Sequence, residues 1–327
     1  MRYYVSKCHN KLNGELYSPE LINNNVCVNP YYRVSVSKLV QTNILIDSGA
    51  FQDVGNDSRL DFDKALQRQM DFEKALGIRA EAIVSYDRLV DEQLDQVNGQ
   101  IKKRVSSKKA TDYVEETIEA AQFLSKQRAR LEGRRLVLSC QGVTPSQYLR
   151  CVDSVLSYAT EDDIIGFGGF CILSTSNKIE QDYYKVIEKA IPKIVEAGLS
   201  RVHIFGLGMF RPLIQTDIYC RMHGVNASYD TSSPELNATF GRVFNPTGPT
   251  LSCVYEKIHK KNGYHPATLA EFNIKMIKMF WEEHMKLALP EKFVPQLDLA
   301  DRKRKREQSA ARAAAKRAKS ESQQKRI

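Results

Sequence analysis

At 327 residues the chain is long enough for one large domain, and its 42% apolar and 27% charged content is that of an ordinary soluble globular protein. No apolar run approaches the roughly 18 residues of a membrane span, the start (Met1 to Lys7) lacks a secretory apolar stretch, and seven scattered cysteines do not make a disulfide framework, so a reducing cytoplasm is expected. The charge of +9 is lopsided: residues 301–327 hold 11 Lys or Arg against 3 Asp or Glu, which leaves the body nearly neutral and gives the chain a basic arm of the kind that meets nucleic acid.

Along the body, short apolar runs alternate with helical patterns. The runs are residues 44–46, 82–84, 136–138, 164–165, 202–205 and, less clearly, 225–227. The first five lack a period of two, as expected of strands buried on both faces of a parallel sheet. Residues 62–76 repeat apolar positions at Phe62, Ala65, Leu66, Met70, Phe72 and Leu76, and Gly77 follows as a stop. Residues 110–130 read as a longer, charged helix. Thr144-Pro145 supplies an N-cap and a first-turn proline for a helix to about Tyr158. Residues 178–197 run to Gly198, and residues 266–288 form a last amphipathic helix with Leu269, Phe272, Ile274, Ile277, Phe280 and Trp281 on or near one face.

Strand-then-helix repetition predicts an α/β fold with a parallel sheet, open or closed. The polar residues favour closure. Asp47-Ser48-Gly49, Asp87-Arg88, Gln141-Gly142, Gly168-Gly169, Gly206-Leu207-Gly208 and Asp230-Thr231 each sit at or just beyond the end of an apolar run. Only a barrel brings all C-terminal strand ends to one face; a doubly wound sheet would concentrate its chemistry at one switch point. We therefore expect a (β/α)8 TIM barrel over 1–295 and a disordered basic tail over 296–327. Six strands are clear, and the missing two are sought among residues 1–6, 33–36 and 242–244.

Several strand ends carry chemistry. Asp47 is followed by Ser48 and Gly49, so a carboxylate can face a ligand that the backbone approaches closely, and Phe51 offers a ring for stacking. Taken alone, this segment reads equally well as a turn. Asp230, delivered by Ala227-Ser228-Tyr229, reads equally well as a helix cap. Asp87 has the same setting, Gln141 offers both a donor and an acceptor, and Gly168 and Gly169 leave backbone N–H groups open. His203 in His203-Ile204-Phe205-Gly206-Leu207-Gly208 reads first as a packed strand residue with a tight exit.

Taken in order, the set resembles the tRNA-guanine transglycosylases (queuine tRNA-ribosyltransferases), which are α/β barrels. That family carries Asp-Ser-Gly-Gly-Phe/Tyr-Gln, Gln-Gly, Gly-Gly, His-x-x-Gly-x-Gly and Phe-Asp-x-x-x-Pro segments. Here they match Asp47 to Gln52, Gln141-Gly142, Gly168-Gly169, His203 to Gly208, and Tyr229-Asp230 with Pro234. The likeness spans about residues 40–290, through Leu269-Ala270-Glu271-Phe272-Asn273-Ile274. It implies Asp230 as the nucleophile that forms a covalent glycosyl intermediate and Asp47 as the general acid/base. It also implies Asp87 and Gln141 on the polar edge of the base, Gly169 on its exocyclic oxygen, and Phe205 and Phe51 about its ring.

Two departures stand out. Ala50 replaces the family's second glycine, a small change expected to tighten the slot. The family's zinc cluster, Cys-x-Cys-x-x-Cys with a distant His, is missing; Cys253, His259 and His265 alone make a poor motif, so no metal or other cofactor is expected. In the tRNA enzymes that subdomain helps hold the anticodon arm. Its loss, with the basic tail, makes the chain resemble the DNA-modifying DpdA-type paralogues of bacteria and phages, which replace guanine in DNA with a 7-deazaguanine such as preQ0. The expected partners are then DNA and the 7-deazaguanine base, with a homodimer or helper subunits left open. A diverged tRNA enzyme and a non-catalytic nucleic-acid-binding member are the alternatives.

Phosphate contacts are sought at Lys102, Lys103, Arg104, Lys108, Lys109 and residues 126–135, where a solvated basic face is an equal reading. In the tail, Lys303-Arg304-Lys305-Arg306 and, ten residues on, Lys316-Arg317 would add salt-dependent DNA affinity; in a eukaryote the same spacing would read as a nuclear localisation signal.

Overall fold

A computed structural model describes residues 1–6, 25–31, 43–53, 61–90, 105–171, 177–247, 252–257, 266–293 and 295. The chain divides into two units, Met1–Phe293 and Val294–Ile327, and the barrel is built within the first. Eight parallel strands close it: β1 (Arg2–Val5), β2 (Asn25–Val28), β3 (Asn43–Ile46), β4 (Ala82–Val84), β5 (Arg135–Cys140), β6 (Ile164–Phe167), β7 (Arg201–Ile204) and β8 (Asn226–Thr231). Closure runs through β1, which pairs with β2 at Val5↔Val26 and with β8 at Tyr4↔Asp230. Helices follow the later strands: α1 (Phe62–Leu76), α2 (Ser107–Lys126), the short α3 (Arg128–Leu131), α4 (Pro145–Leu156), α5 (Asn177–Glu196), α6 (Phe210–Met222), α7 (Ser233–Thr239) and α8 (Pro266–His284). This is the expected (β/α)8 barrel.

Local signals place the helix ends. Asp61 accepts the N–H groups of Asp63 and Lys64 at the start of α1, and Gly77 stops that helix in the left-handed conformation at φ 63°. The Thr144 hydroxyl accepts the N–H of Gln147 one residue before the Pro145 that opens α4.

The strands bury both faces. Alternate residues point inward, so Tyr4, Cys27, Leu45, Ala82, Val84, Val137 and Ile164 fill the barrel interior as a packed core rather than a pore. Fully burying Leu45, Val84, Val137 or Ile164 is worth about 1.5–3 kcal/mol each. At the N-terminal mouth Glu81 accepts from Arg2 (3.2 Å), Tyr4 (3.1 Å) and Arg135 (2.9 Å). At the other side of the sheet Trp281 of α8 donates to the Tyr229 hydroxyl at 2.6 Å, tying the last helix to β8.

One sequence expectation is corrected. The segment at 242–244 is a strand, but it belongs to β9 (Arg242–Thr247), which pairs antiparallel with β10 (Ser252–Lys257) outside the barrel. The eighth barrel strand is instead Asn25–Val28, too short and too close to polar residues to stand out. The segment at 33–36 lies outside the described residues. The hairpin occupies the interval between Asp230 and α8, and Asn273 of α8 holds it by accepting from Phe244 N (2.6 Å) and donating to Arg242 O (3.1 Å).

Candidate active site

The inward-pointing residues just past the strands form a polar ring at the C-terminal mouth. Asp47 follows β3, where its backbone N–H donates to Val28 O at 2.8 Å. Its Oδ2 accepts from Asn29 Nδ2 at 3.2 Å, and the same amide nitrogen donates to Gln52 Oε1 at 2.5 Å. Tyr31 N donates to Asn29 Oδ1 at 3.0 Å, which fixes the orientation of that amide. Gln69 of α1 donates to the carbonyls of Ile46, Asp47 and Val84, so the β3 and β4 exits are held from behind.

Asp87 is buried. Its Oδ1 accepts from Ser48 Oγ at 3.3 Å and its Oδ2 from Gln141 Nε2 at 2.5 Å, while Gln141 Oε1 accepts from Val90 N at 3.2 Å. Gln141 therefore spends one donor and one acceptor inside the protein, and its plain effect is to orient Asp87. Gly168 lies against this pair: a Cβ built there would stand 3.4 Å from Asp87 Oδ2. Gly169 follows with φ 73°, and Tyr148 donates to Gly168 O at 3.0 Å.

Asp230 projects inward from β8. Its Oδ2 accepts from Ser6 Oγ at 2.9 Å; its Oδ1 accepts from Gly206 N at 3.1 Å and lies 3.3 Å from His203 Nε2. Gly206 has φ 64°, and a Cβ there would fall 2.7 Å from Cys171 Sγ, so only glycine can turn this N–H toward Asp230.

The carboxylates sense one another. Burial, and then the charge of Asp230, push Asp47 up to about 6 against the opposing N–H groups of Ser48 and Gly49 and the Arg68 guanidinium. Burial, and then Asp47, push Asp87 up to about 7 against its hydrogen bonds from Ser48 and Gln141. Asp47 can thus carry a proton near neutrality beside a second carboxyl group that meets several donors. That is the equipment of an acid/base and nucleophile pair.

The apolar residues divide. Phe205 packs down on the barrel core, its ring over Gly166, where a Cβ would stand 2.7 Å from Cε2; it forms a floor beneath the polar ring. Phe51 sits on the short 3-10 turn Ala50–Asp53, 39% exposed at the rim. Ala50 does not tighten the slot: its side chain turns outward to Ala65, Tyr86 and Ala120.

The arginines of the basic stretch after α2 are engaged in ion pairs. Arg130 pairs with Asp63 at 2.6 Å, Arg134 with Glu73 at 2.8 Å, Arg135 with Glu81 at 2.9 Å, and Arg128 with Asp163. Arg135 opens β5, so its pair with Glu81 lies at the end of the barrel away from Asp47 and Asp230. Lys108 and Lys109 lie in the first turn of α2. Lys102, Lys103, Arg104 and the tail residues Lys303, Arg304, Lys305, Arg306, Lys316 and Arg317 lie outside the described residues. So do His259 and His265, while Cys253 is on β10. Among the described residues no group of three or more His, Cys, Asp or Glu could hold a metal ion, and no helix is long and apolar enough to cross a membrane.

Ser6, Asn29 and His203 are the partners that sequence reading missed as site residues. Ser6 and Asn29 each sit one residue beyond β1 and β2, so the strand-end rule that found Asp47 would have found them had those strands been recognised.

Fold and site together define a closed (β/α)8 barrel with three interacting aspartates at its C-terminal mouth. No protein-family model and no curated protein matches the chain. Among solved structures, RipC from Yersinia pestis is similar at a TM-score of 0.36 and 10% identity, over 71% of this chain and 90% of that one, a likeness too slight to inform the site.

Proposed function

We propose that the chain is a guanine transglycosylase that exchanges guanine in DNA for a preQ0-like 7-deazaguanine through a covalent glycosyl intermediate on Asp230. One observation carries this reading: Asp47, just past β3, and Asp230, on β8, stand at the same C-terminal mouth of the closed barrel, each held by hydrogen-bond donors. Base exchange at a ribosyl centre needs one carboxylate for the sugar and another for the base. Asp230 displaces guanine from the anomeric carbon, and Asp47 gives the leaving base its proton and later takes one from the incoming base. Asp87, set by Ser48 and Gln141, meets the polar edge of the base beside Gly168 and Gly169. Phe205 closes the floor, and Phe51 stands at the rim for stacking.

DNA is preferred to tRNA because the cysteine cluster is missing from the sequence, and the interval where it would lie holds the β9–β10 hairpin. A duplex substrate would have to present its guanine out of the stack. The test incubates the protein and labelled preQ0 with duplex DNA or with tRNA. Label in DNA supports the reading, label in tRNA alone replaces it with the tRNA alternative, and label in neither favours a non-catalytic binder.

A further inference from the structure

The base-exchange reading leaves His203 without a role. It is fully buried, yet it is not inert packing: Nδ1 lies 2.9 Å from Ser228 Oγ and Nε2 lies 3.3 Å from Asp230 Oδ1. Tyr4 meets the ring edge-on at a centroid distance of 5.5 Å and Phe205 covers it at 4.5 Å, so the imidazole is held in one orientation.

Counting protons decides which way its hydrogen bonds run. Ser228 has one hydroxyl proton and two acceptors in reach, His203 Nδ1 and Val202 O at 3.0 Å. If that proton goes to Nδ1, the neutral ring carries its own proton on Nε2. If it goes to Val202 O, Nδ1 must donate to Ser228, and a neutral ring would then set a bare Nε2 against a carboxylate oxygen in a buried site, which is costly. A second ring proton removes that clash. With Asp230 as the carboxylate that a nucleophile must be, both satisfied arrangements put N–H on Nε2, aimed at Asp230 Oδ1.

Oδ1 then receives two donors, His203 Nε2–H and Gly206 N–H, from groups that cannot follow it: a caged ring and a backbone amide. Among the described residues, Oδ2 receives only the rotatable Ser6 hydroxyl. We propose that His203 is a positioning residue that anchors Oδ1 and so reserves Oδ2 of Asp230 as the oxygen that attacks the sugar. In the first half-reaction the Oδ2 lone pair forms the bond to the anomeric carbon as the glycosidic C–N bond breaks. The released electron pair stays on guanine, which takes a proton from Asp47. The Ser6 hydroxyl turns away as Oδ2 becomes an ester oxygen. In the second half the incoming base forms the C–N bond, the C–O bond breaks with its pair returning to Oδ2, and the proton of the base passes to Asp47.

The inference rests on the base-exchange reading for its consequence but not for its geometry, so two measurements separate them. Ring-15N histidine NMR on the full-length protein should show His203 with a proton on Nε2. A bare Nε2 overturns the proposal whether or not exchange is detected. In the exchange assay His203→Leu should lower kcat ~10²-fold, the cost of a misplaced reacting group, with KM little changed. His203→Gln, whose amide can still donate to Oδ1, should recover most of that loss. Wild-type kcat in His203→Leu, or equal loss in both variants, overturns the positioning role. No exchange by the wild type overturns the function reading instead, and leaves the clamp to be decided by NMR.

Discussion

Asp47 and Asp87 give the site a pH signature. Burial comes first, and a neighbouring carboxylate second, in holding them up to about 6 and about 7. Unfolding returns each to the ordinary value of about 3.9. A carboxyl group raised in the folded state stabilises most below its unfolded pKa and loses that contribution as pH climbs through its folded pKa. The window therefore runs from about 4 to about 7. Asp87→Asn should gain on the wild type in Tm as pH is raised through that range; a Tm difference that does not change with pH contradicts the role given to burial. For activity, Asp47→Asn should lower the exchange rate by ~10²–10⁴-fold, the usual contribution of a positioned acid/base, as measured by label incorporation. Both aspartates were visible in the sequence because an apolar run delivered each to a strand end. Their donors were not. Ser6, Asn29 and His203 each bond to an aspartate on a neighbouring strand: pairing of β2 with β3 and of β7 with β8 brings Asn29 and His203 in, and barrel closure between β1 and β8 brings in Ser6.

At the scale of elements, the loops and helices behind the ring set its precision. Gly206→Ala would place a Cβ at a positive φ against Cys171 Sγ. The left-handed backbone alone costs roughly 1–2 kcal/mol, and the N–H on Asp230 Oδ1 would shift with it. Urea denaturation should show the loss and the exchange assay a lowered rate; a stable, fully active variant would mean that the β7 exit is not held as described. Farther from the mouth, Asp217 of α6 meets His284 of α8 at 3.0 Å and the Met1 amino group at 2.8 Å. Burial works to raise Asp217, and these partners outweigh it and hold it below the ordinary carboxylate range. Its stabilisation is thus present above about 3.9 and lost as pH falls through its folded value. Asp217→Ala, which strands a buried His284, should cost about 3–5 kcal/mol in chemical denaturation near neutrality. Such elements explain what the sequence hid. α6 shows no apolar stripe because Gln215, Thr216 and Asp217 are buried in polar contacts, so no helix period announces it. α1 and α4 were plain because their caps are local chemistry.

For the whole molecule, the barrel was legible from the repeated pairing of a buried run with a polar exit, a pattern that no open sheet would need so many times. The two least legible strands were β1 and β2, four residues each and flanked by polar positions. The arginines at 128, 130, 134 and 135 show the opposite limit: charge that read equally as a binding patch or a solvated face forms ion pairs with Asp163, Asp63, Glu73 and Glu81. On the proposed function, affinity for DNA is then expected mainly from the basic stretch at 301–327. Removing residues 301–327 should weaken DNA binding and flatten its salt dependence by about 0.9 in log–log slope for each phosphate that the tail neutralises. An unchanged slope would take the tail out of DNA binding.

On the proposed function Asp230 becomes covalently attached to the sugar, and peptide mapping by mass spectrometry, after acid quench of the protein with a guanine-containing duplex, detects that bond. The expected result is a glycosyl adduct on the peptide that carries Asp230, absent from Asp230→Ala. An adduct on Asp47 or elsewhere, or one that persists in Asp230→Ala, would contradict it.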